Sequence, residues 1–285
     1  MNSAKKRKYF RSLLDKKQCI HPGSVFDPIS ARIAEDLGYE TGIFAGSIAS
    51  MTILGAPDLV LITLSEFVQQ TNRICRAGNL ALLVDADHGY GNALNVMRTV
   101  QELEAAGVAA LTIEDTRLPK TYGSTDNPSI LSLEESVGKM RAALKGRSDT
   151  DLVITARTSA FSITDGADAI NRARAYESAG VDAIFFTGIN SKEQIDLIAS
   201  NISIPIFIAP KDEQIIDLAY LASKGVKICL QSHQPFFAAV QAVYATLRAL
   251  RDGIPASQIK NIASDNLIKK VTQSDEYDKL IKDYL

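Results

Sequence analysis

Eight short apolar runs, each followed by a segment of helical periodicity, constrain this 285-residue chain more than any other feature. The runs lie at about 19–26, 41–47, 81–87, 109–115, 151–158, 182–187, 205–209 and 227–232. Apolar residues at three- and four-residue spacing mark helices near 28–37, 63–77, 93–106, 132–144, 165–179, 191–200, 211–224 and 234–251. Thr63, Ser132 and Ser191 stand where helices begin, and Gly107, Gly180 and Gly225 where they end. Strands this uniformly apolar suit a parallel sheet covered on both faces. Eight βα units in roughly 235 residues is the arithmetic of a (β/α)8 TIM barrel. A doubly wound open sheet is the alternative and usually carries fewer strands. No Pro/Ser/Gly-rich linker divides the chain, so the expectation is one domain over 1–285. A basic N-terminal helix over 1–17 precedes the barrel, and a helical tail over 253–285 follows it. A barrel does not need that tail, so it is expected to pack on a neighbouring subunit.

Composition narrows the function classes. Apolar residues make 46% and charged residues 22%, with a formal net charge of −2. That balance excludes disorder, collagen and coiled coil, and it argues against a general nucleic-acid binder. No window approaches the ~18 consecutive apolar residues of a membrane helix. The three cysteines, Cys19, Cys75 and Cys229, form no CxxC pair, which points to a reducing compartment, the cytoplasm. Cys229 lies in an apolar run and is expected in the core. Residues 1–17 carry a net charge of +6. They lack the apolar stretch of a secretory signal, since Arg11 and Ser12 interrupt 9–14. They fit a solvated amphipathic helix with Phe10, Leu13 and Leu14 on one face better than a mitochondrial presequence.

In a barrel, active sites sit at the C-terminal ends of the strands. Five strands here end in polar groups: Ala45-Gly46-Ser47, Asp85-Ala86-Asp87-His88, Glu114-Asp115, Arg157 and Gln231-Ser232-His233. Asp85 and Asp87 are two apart on a strand, so they are expected to share a face, and Glu114 has the phase to join them. Carboxylates crowded together need a cation or a proton between them. Oxygen donors without cysteine or paired histidine favour Mg2+ or Mn2+ over softer ions. Helix capping would explain one aspartate; Asp85, Asp87 and Glu114 together fit a metal better. Arg157 has two open roles: an ion pair with Glu114 or Asp115, or a bidentate grip on a substrate carboxylate. Backbone N–H groups around Ser47 are candidates for holding an anion. His233 is either ligand-facing or structural, and His21 and His88 read as structural. Gly89-Tyr90-Gly91 is a tight turn, not a dinucleotide fingerprint. There is no P-loop, no HExxH and no G-x-S-x-G. No lysine is expected at a strand end to form an imine, so a carbanion would need a metal as its electron sink.

The run Asp85-Ala86-Asp87-His88-Gly89-Tyr90-Gly91-Asn92-Ala93, then Leu103-Glu104-Ala105-Ala106-Gly107-Val108 and Ile113-Glu114-Asp115, resembles the isocitrate lyase / phosphoenolpyruvate mutase superfamily. Gly55-Ala56-Pro57-Asp58, Ile62-Thr63 and Ile154-Thr155-Ala156-Arg157 carry the same resemblance, which covers about 15–250. It implies Mg2+ around Asp85 and Asp87, with Asp58 and Glu114 nearby. It implies a 2-oxo acid bound by the Ser47 loop and Arg157. It also implies a homotetramer that often exchanges a C-terminal helix, which would account for the tail.

Carbon–carbon lyases of this superfamily carry Lys-Lys-Cys-Gly-His in a mobile loop after the fourth strand. Here the loop reads Pro119-Lys120-Thr121-Tyr122-Gly123-Ser124, with Tyr122 for the acidic cysteine and Ser124 for the histidine. It also departs from the asparagine-bearing loop of the phosphonomutases. Ile113-Glu114-Asp115-Thr116 and Ser232-His233-Gln234-Pro235 most resemble the bacterial oxaloacetate decarboxylase group. That resemblance implies Mg2+-dependent decarboxylation of oxaloacetate to pyruvate, with Ser47 and Arg157 on substrate, Asp85 on the metal and His233 in the active site. The alternatives are a phosphonopyruvate-type mutase or hydrolase, a lyase on methylisocitrate or a substituted malate, and a non-catalytic dicarboxylate-binding barrel.

Overall fold

The computed structural model describes residues 1–123 and 128–285. Eight parallel strands follow one another in chain order through one sheet. They are β1 (Gly23–Ser24), β2 (Thr41–Phe44), β3 (Ala81–Asp85), β4 (Ala110–Glu114), β5 (Val153–Thr158), β6 (Ala183–Ile189), β7 (Ile206–Pro210) and β8 (Val226–Cys229). A parallel bridge between Ile20 and Ile228 closes the ring. There the Ile20 N–H donates to Lys227 O and the Cys229 N–H to Ile20 O, both at 3.0 Å. The TIM-barrel expectation holds.

Alternation along the strands builds two cores. Ile43, Leu83, Ala110, Val153, Phe185, Phe207 and Ile228 fill the lumen. Their neighbours Phe44, Val84, Leu111, Ile154, Ile184 and Ile208 face the surrounding helices. A strand buried on both faces has no polar side, which is why these runs read as continuous apolar segments.

The N-terminal helix, Ser3–Asp15, buries Phe10, Leu13 and Leu14 in the lumen core, against the beginnings of the strands. Its basic face is not simply solvated, contrary to expectation. Lys6 and Arg7 are buried. Lys6 Nζ donates to the carbonyls of Cys75 and Gly78, each at 2.6 Å. Arg7 Nε donates to Val108 O at 3.0 Å and Nη1 pairs with Asp149 at 2.9 Å. These carbonyls lie at the C-terminal ends of helices Leu64–Arg76 and Ala93–Ala106, where cations are favourable.

Elsewhere the helices follow the periodicity, apart from an additional short helix after β5, Ala160–Ile163, and departures over 211–224 and after β2. The single helix expected over 211–224 is split into a 3-10 turn, Glu213–Ile215, and a short helix, Leu218–Ser223. Asp212 and Asp217 side chains cap each piece and so interrupt the run. After β2, a short helix Gly46–Ala49 passes into a π-helical turn, Ser50–Leu54.

Helix Gln234–Arg251, which follows β8, has no buried residue. Its start is anchored through an edge-on contact of Phe236 with Phe26 at 5.5 Å between ring centres. The tail returns to the barrel: in helix Asp265–Thr272, Val271 is buried, and its carbonyl accepts from Arg32 Nη1 at 3.0 Å. No helix among the described residues is long and apolar enough to cross a membrane. All three cysteines are free and buried, Cys229 in the core as expected.

Candidate active site

Asp85 ends β3 and Arg157 lies on β5, two strands away; β4 carries the residues between them. In register, Asp85 stands beside Thr112, and Glu114 beside Arg157. The side chains use this alignment. Thr112 Oγ1 donates to Asp85 Oδ1 at 2.8 Å. Arg157 Nη1 ion-pairs with Asp85 Oδ2, and Nη2 lies 3.5 Å from Glu114 Oε2. Thr116 Oγ1 donates to Glu114 Oε2 at 2.6 Å. Beneath the guanidinium lies the Phe185 ring, 5.7 Å from Arg157 Cζ. Of the two pairings open to Arg157 in sequence, Glu114 is formed and Asp115 is not. Asp115 points the other way, accepting from Tyr176 OH at 2.6 Å and Arg172 Nη1 at 3.3 Å.

Asp87 reaches this cluster by a different route from the one expected. Strand β3 stops at Asp85, so strand alternation does not place Asp87. Its φ of +47° puts it in the left-handed region, and Glu114 N–H donates to its carbonyl at 2.8 Å. The turn swings the Asp87 carboxylate against Gly46, where a Cβ would fall directly on it. Glycine at 46 is therefore what allows the loops after β2 and β3 to meet. Gly46→Ala is expected to destabilise the fold by about 1–3 kcal/mol, the usual cost of overpacking, measured by urea unfolding.

The other expected residues surround the cluster. Ser47 sits in the first turn of helix Gly46–Ala49, whose preceding residue, Ala45, has no side chain to cap it. Asp58 lies in the loop after the π-helical turn, within the electrostatic reach of Asp85 and Arg157. His233 precedes helix Gln234–Arg251, and its Nδ1 is 2.8 Å from Ser24 Oγ on β1. His88 is buried with its Nδ1 lacking a partner among the described residues, and burial pushes its pKa down to about 4. Lys211 corrects one expectation: β7 runs to Pro210, so an exposed lysine does follow a strand end. Tyr122 is fully exposed, and the comparison at Ser124 falls outside the described residues.

The electrostatics show a site short of positive charge. Burial, and then repulsion from Asp85 and Glu114, raises the Asp87 carboxyl well above the usual range. Glu114 is raised by burial against the pull of Arg157. Asp58 is raised by burial and by Asp85. Burial would deprotonate Arg157, but Asp85, Glu114 and Asp87 more than offset it and hold the charge. Such carboxylates gain by taking up a cation. The donors are all oxygen and suit a hard divalent ion. Among the described residues, no three His, Cys, Asp or Glu side chains come together as a group that could hold a metal ion. An ion that keeps several waters needs only one or two carboxylates, so the donor set fits it.

The family model for phosphoenolpyruvate phosphomutase matches residues 10–251. The chain belongs to the phosphoenolpyruvate phosphomutase family. Among members of this family it is 54% identical over 280 residues to an oxaloacetate decarboxylase of Bradyrhizobium sp. (strain ORS 278), covering 98% of this chain and 97% of that one. Solved structures agree in fold. A phosphoenolpyruvate phosphomutase from Streptomyces platensis subsp. rosaceus has a TM-score of 0.87 at 28% identity, covering 98% of this chain and 99% of that one. An oxaloacetate acetylhydrolase in complex with its product oxalate has 0.85 at 26%, with the same coverage. A phosphonopyruvate hydrolase in complex with oxalate and Mg2+ has 0.84 at 28%, covering 100% and 99%.

The sequence assigned no site role to Thr112, Thr116, Ser24 or Gly46. Thr112 was within reach, because it shares the inward phase of Glu114 on β4, whereas Thr116 lies beyond that strand in a bridge with Ile130. Ser24 and Gly46 carry no local signal.

Proposed function

We propose that this chain is an oxaloacetate decarboxylase dependent on a divalent ion, Mg2+ with Mn2+ as the alternative, releasing pyruvate and CO2. The observation that carries this is the 54% identity to an oxaloacetate decarboxylase over 98% of the chain. The carboxylate cluster at the C-terminal mouth of the barrel supports it. Asp85 would hold the ion, with Asp87 and Glu114 beside it and Asp58 nearby. When bound, the ion supplies Lewis-acid charge for the electron pair released as the C3–C4 bond breaks. Arg157 pairs with the C1 carboxylate, and backbone N–H groups at Ser47 support the same end of the substrate. His233 meets the distal end, where the C4 carboxylate leaves and C3 takes up a proton.

The assembly we propose is a homotetramer, a dimer of dimers, in which helix Gln234–Arg251 is exchanged. In its support, Phe237, Val240, Val243, Tyr244 and Leu247 on that helix are exposed. A groove of about 470 Å³ also opens between the helix and Phe26, Met51 and Thr52. A cytoplasmic setting fits three buried free cysteines.

Product analysis tests the reaction. Oxaloacetate with Mg2+ is expected to give pyruvate and CO2 in equal amounts. Oxalate and acetate would instead make the chain a hydrolase of the C2–C3 bond. Phosphate released from phosphonopyruvate, with no pyruvate from oxaloacetate, would move it to the phosphonate branch. Ligand-induced stabilisation with no product would leave a dicarboxylate-binding barrel.

A further inference from the structure

The His233 ring has one hydrogen bond among the described residues, between its Nδ1 and Ser24 Oγ at 2.8 Å. The contact joins β1 to the segment that follows β8, across the seam of the barrel and 209 residues of sequence. A serine hydroxyl carries one proton, and Nδ1 is the only acceptor it meets among the described residues. If the hydroxyl donates, Nδ1 is unprotonated and the neutral ring carries its proton on Nε2. In the reverse arrangement the hydroxyl proton meets no acceptor among the described residues.

We propose that Ser24 is a positioning residue that fixes His233 as the neutral Nε2–H tautomer, so that the ring presents a hydrogen-bond donor to the anionic distal end of the substrate. This rests on the decarboxylase reading and decides what that reading left open: His233 orients the leaving carboxylate and does not relay the proton. Three features agree. The ring stands at the N-terminus of an 18-residue helix, whose positive end disfavours an imidazolium. Burial lowers the His233 pKa, with Asp85 only partly opposing it. A neutral imidazole N–H is a weak acid, poor at protonating C3 but well suited to a hydrogen bond with a carboxylate. A neutral donor also orients that carboxylate without the ground-state stabilisation that a cation would give to the charge being lost.

The test is nitrogen NMR of the full-length protein with 15N-labelled histidine, without substrate, at neutral pH. With three histidines in the chain, His233→Gln assigns the signal. The expected spectrum shows an Nε2–H, Nδ1-unprotonated ring. In Ser24→Ala the signal moves towards a tautomer mixture, and kcat on oxaloacetate falls about three- to tenfold, the worth of one hydrogen bond. Ser24→Thr, which keeps the hydroxyl, restores both. An Nδ1–H ring or an imidazolium in the unaltered protein would overturn the proposal, as would an unchanged signal in Ser24→Ala. Because the spectrum needs no substrate, it decides this point even if product analysis overturns the decarboxylase reading.

Discussion

Arg157→Leu is expected to lower kcat/KM for oxaloacetate by about 10³-fold, the scale seen when a preorganised charge at a reacting centre is removed. Arg157 is the one cation in direct contact with Asp85 and Glu114 among the described residues. It is also the charge that opposes the upward shifts at Asp87 and Asp58. Leucine keeps an apolar body over Phe185 while removing the charge. The carboxylates would then relieve their repulsion by binding protons, and Asp85 would lose the contact that aims its oxygen. Breaking a mostly buried pair from one side should also cost about 3 kcal/mol of stability, read by urea unfolding. Arg157→Lys keeps the charge but cannot bridge Asp85 and Glu114 together, so it is expected to fall between the two. Near-normal turnover in Arg157→Leu would remove the residue from both substrate binding and site organisation.

What was legible in the sequence, and what was not, follows from the range of the interactions. The eight strands were visible because a strand buried on both faces must be apolar throughout, and the polar groups at their ends then stood out. The inward phase of Glu114 was visible for the same reason: Ile113 beside it packs outward with the helices. Asp87 was correctly grouped with Asp85 but by the wrong geometry, since its left-handed turn depends on a glycine 41 positions earlier giving it room. The burial of Lys6 and Arg7 was invisible, because the helix ends that accept their protons lie about 70 and 100 residues away. The Ser24–His233 contact exists only because the ring closes. Alternation of residue types reports which face a side chain takes; it does not report which distant loop meets it there.

Asp85 is the residue on which the proposed mechanism turns, in which one carboxylate-lined mouth both holds the ion and drives decarboxylation. It holds three relationships at once: the bond from Thr112, the ion pair with Arg157 and the proposed ion. Asp85→Ala removes the ion's direct oxygen donor and leaves Arg157 with Glu114 alone, so the guanidinium is free to turn from the position it needs for the substrate. The loss is expected to be complete, because no neighbouring carboxylate shares the register with Thr112 that fixes Asp85 in place. The most direct measurement is pyruvate release from oxaloacetate at saturating Mg2+, with the unaltered protein, Asp85→Ala and buffer run side by side, since free Mg2+ slowly decarboxylates oxaloacetate by itself. The expected result is rapid release by the unaltered protein and a rate for Asp85→Ala indistinguishable from buffer. Equal rates for the two proteins, whether fast or at background, would contradict it.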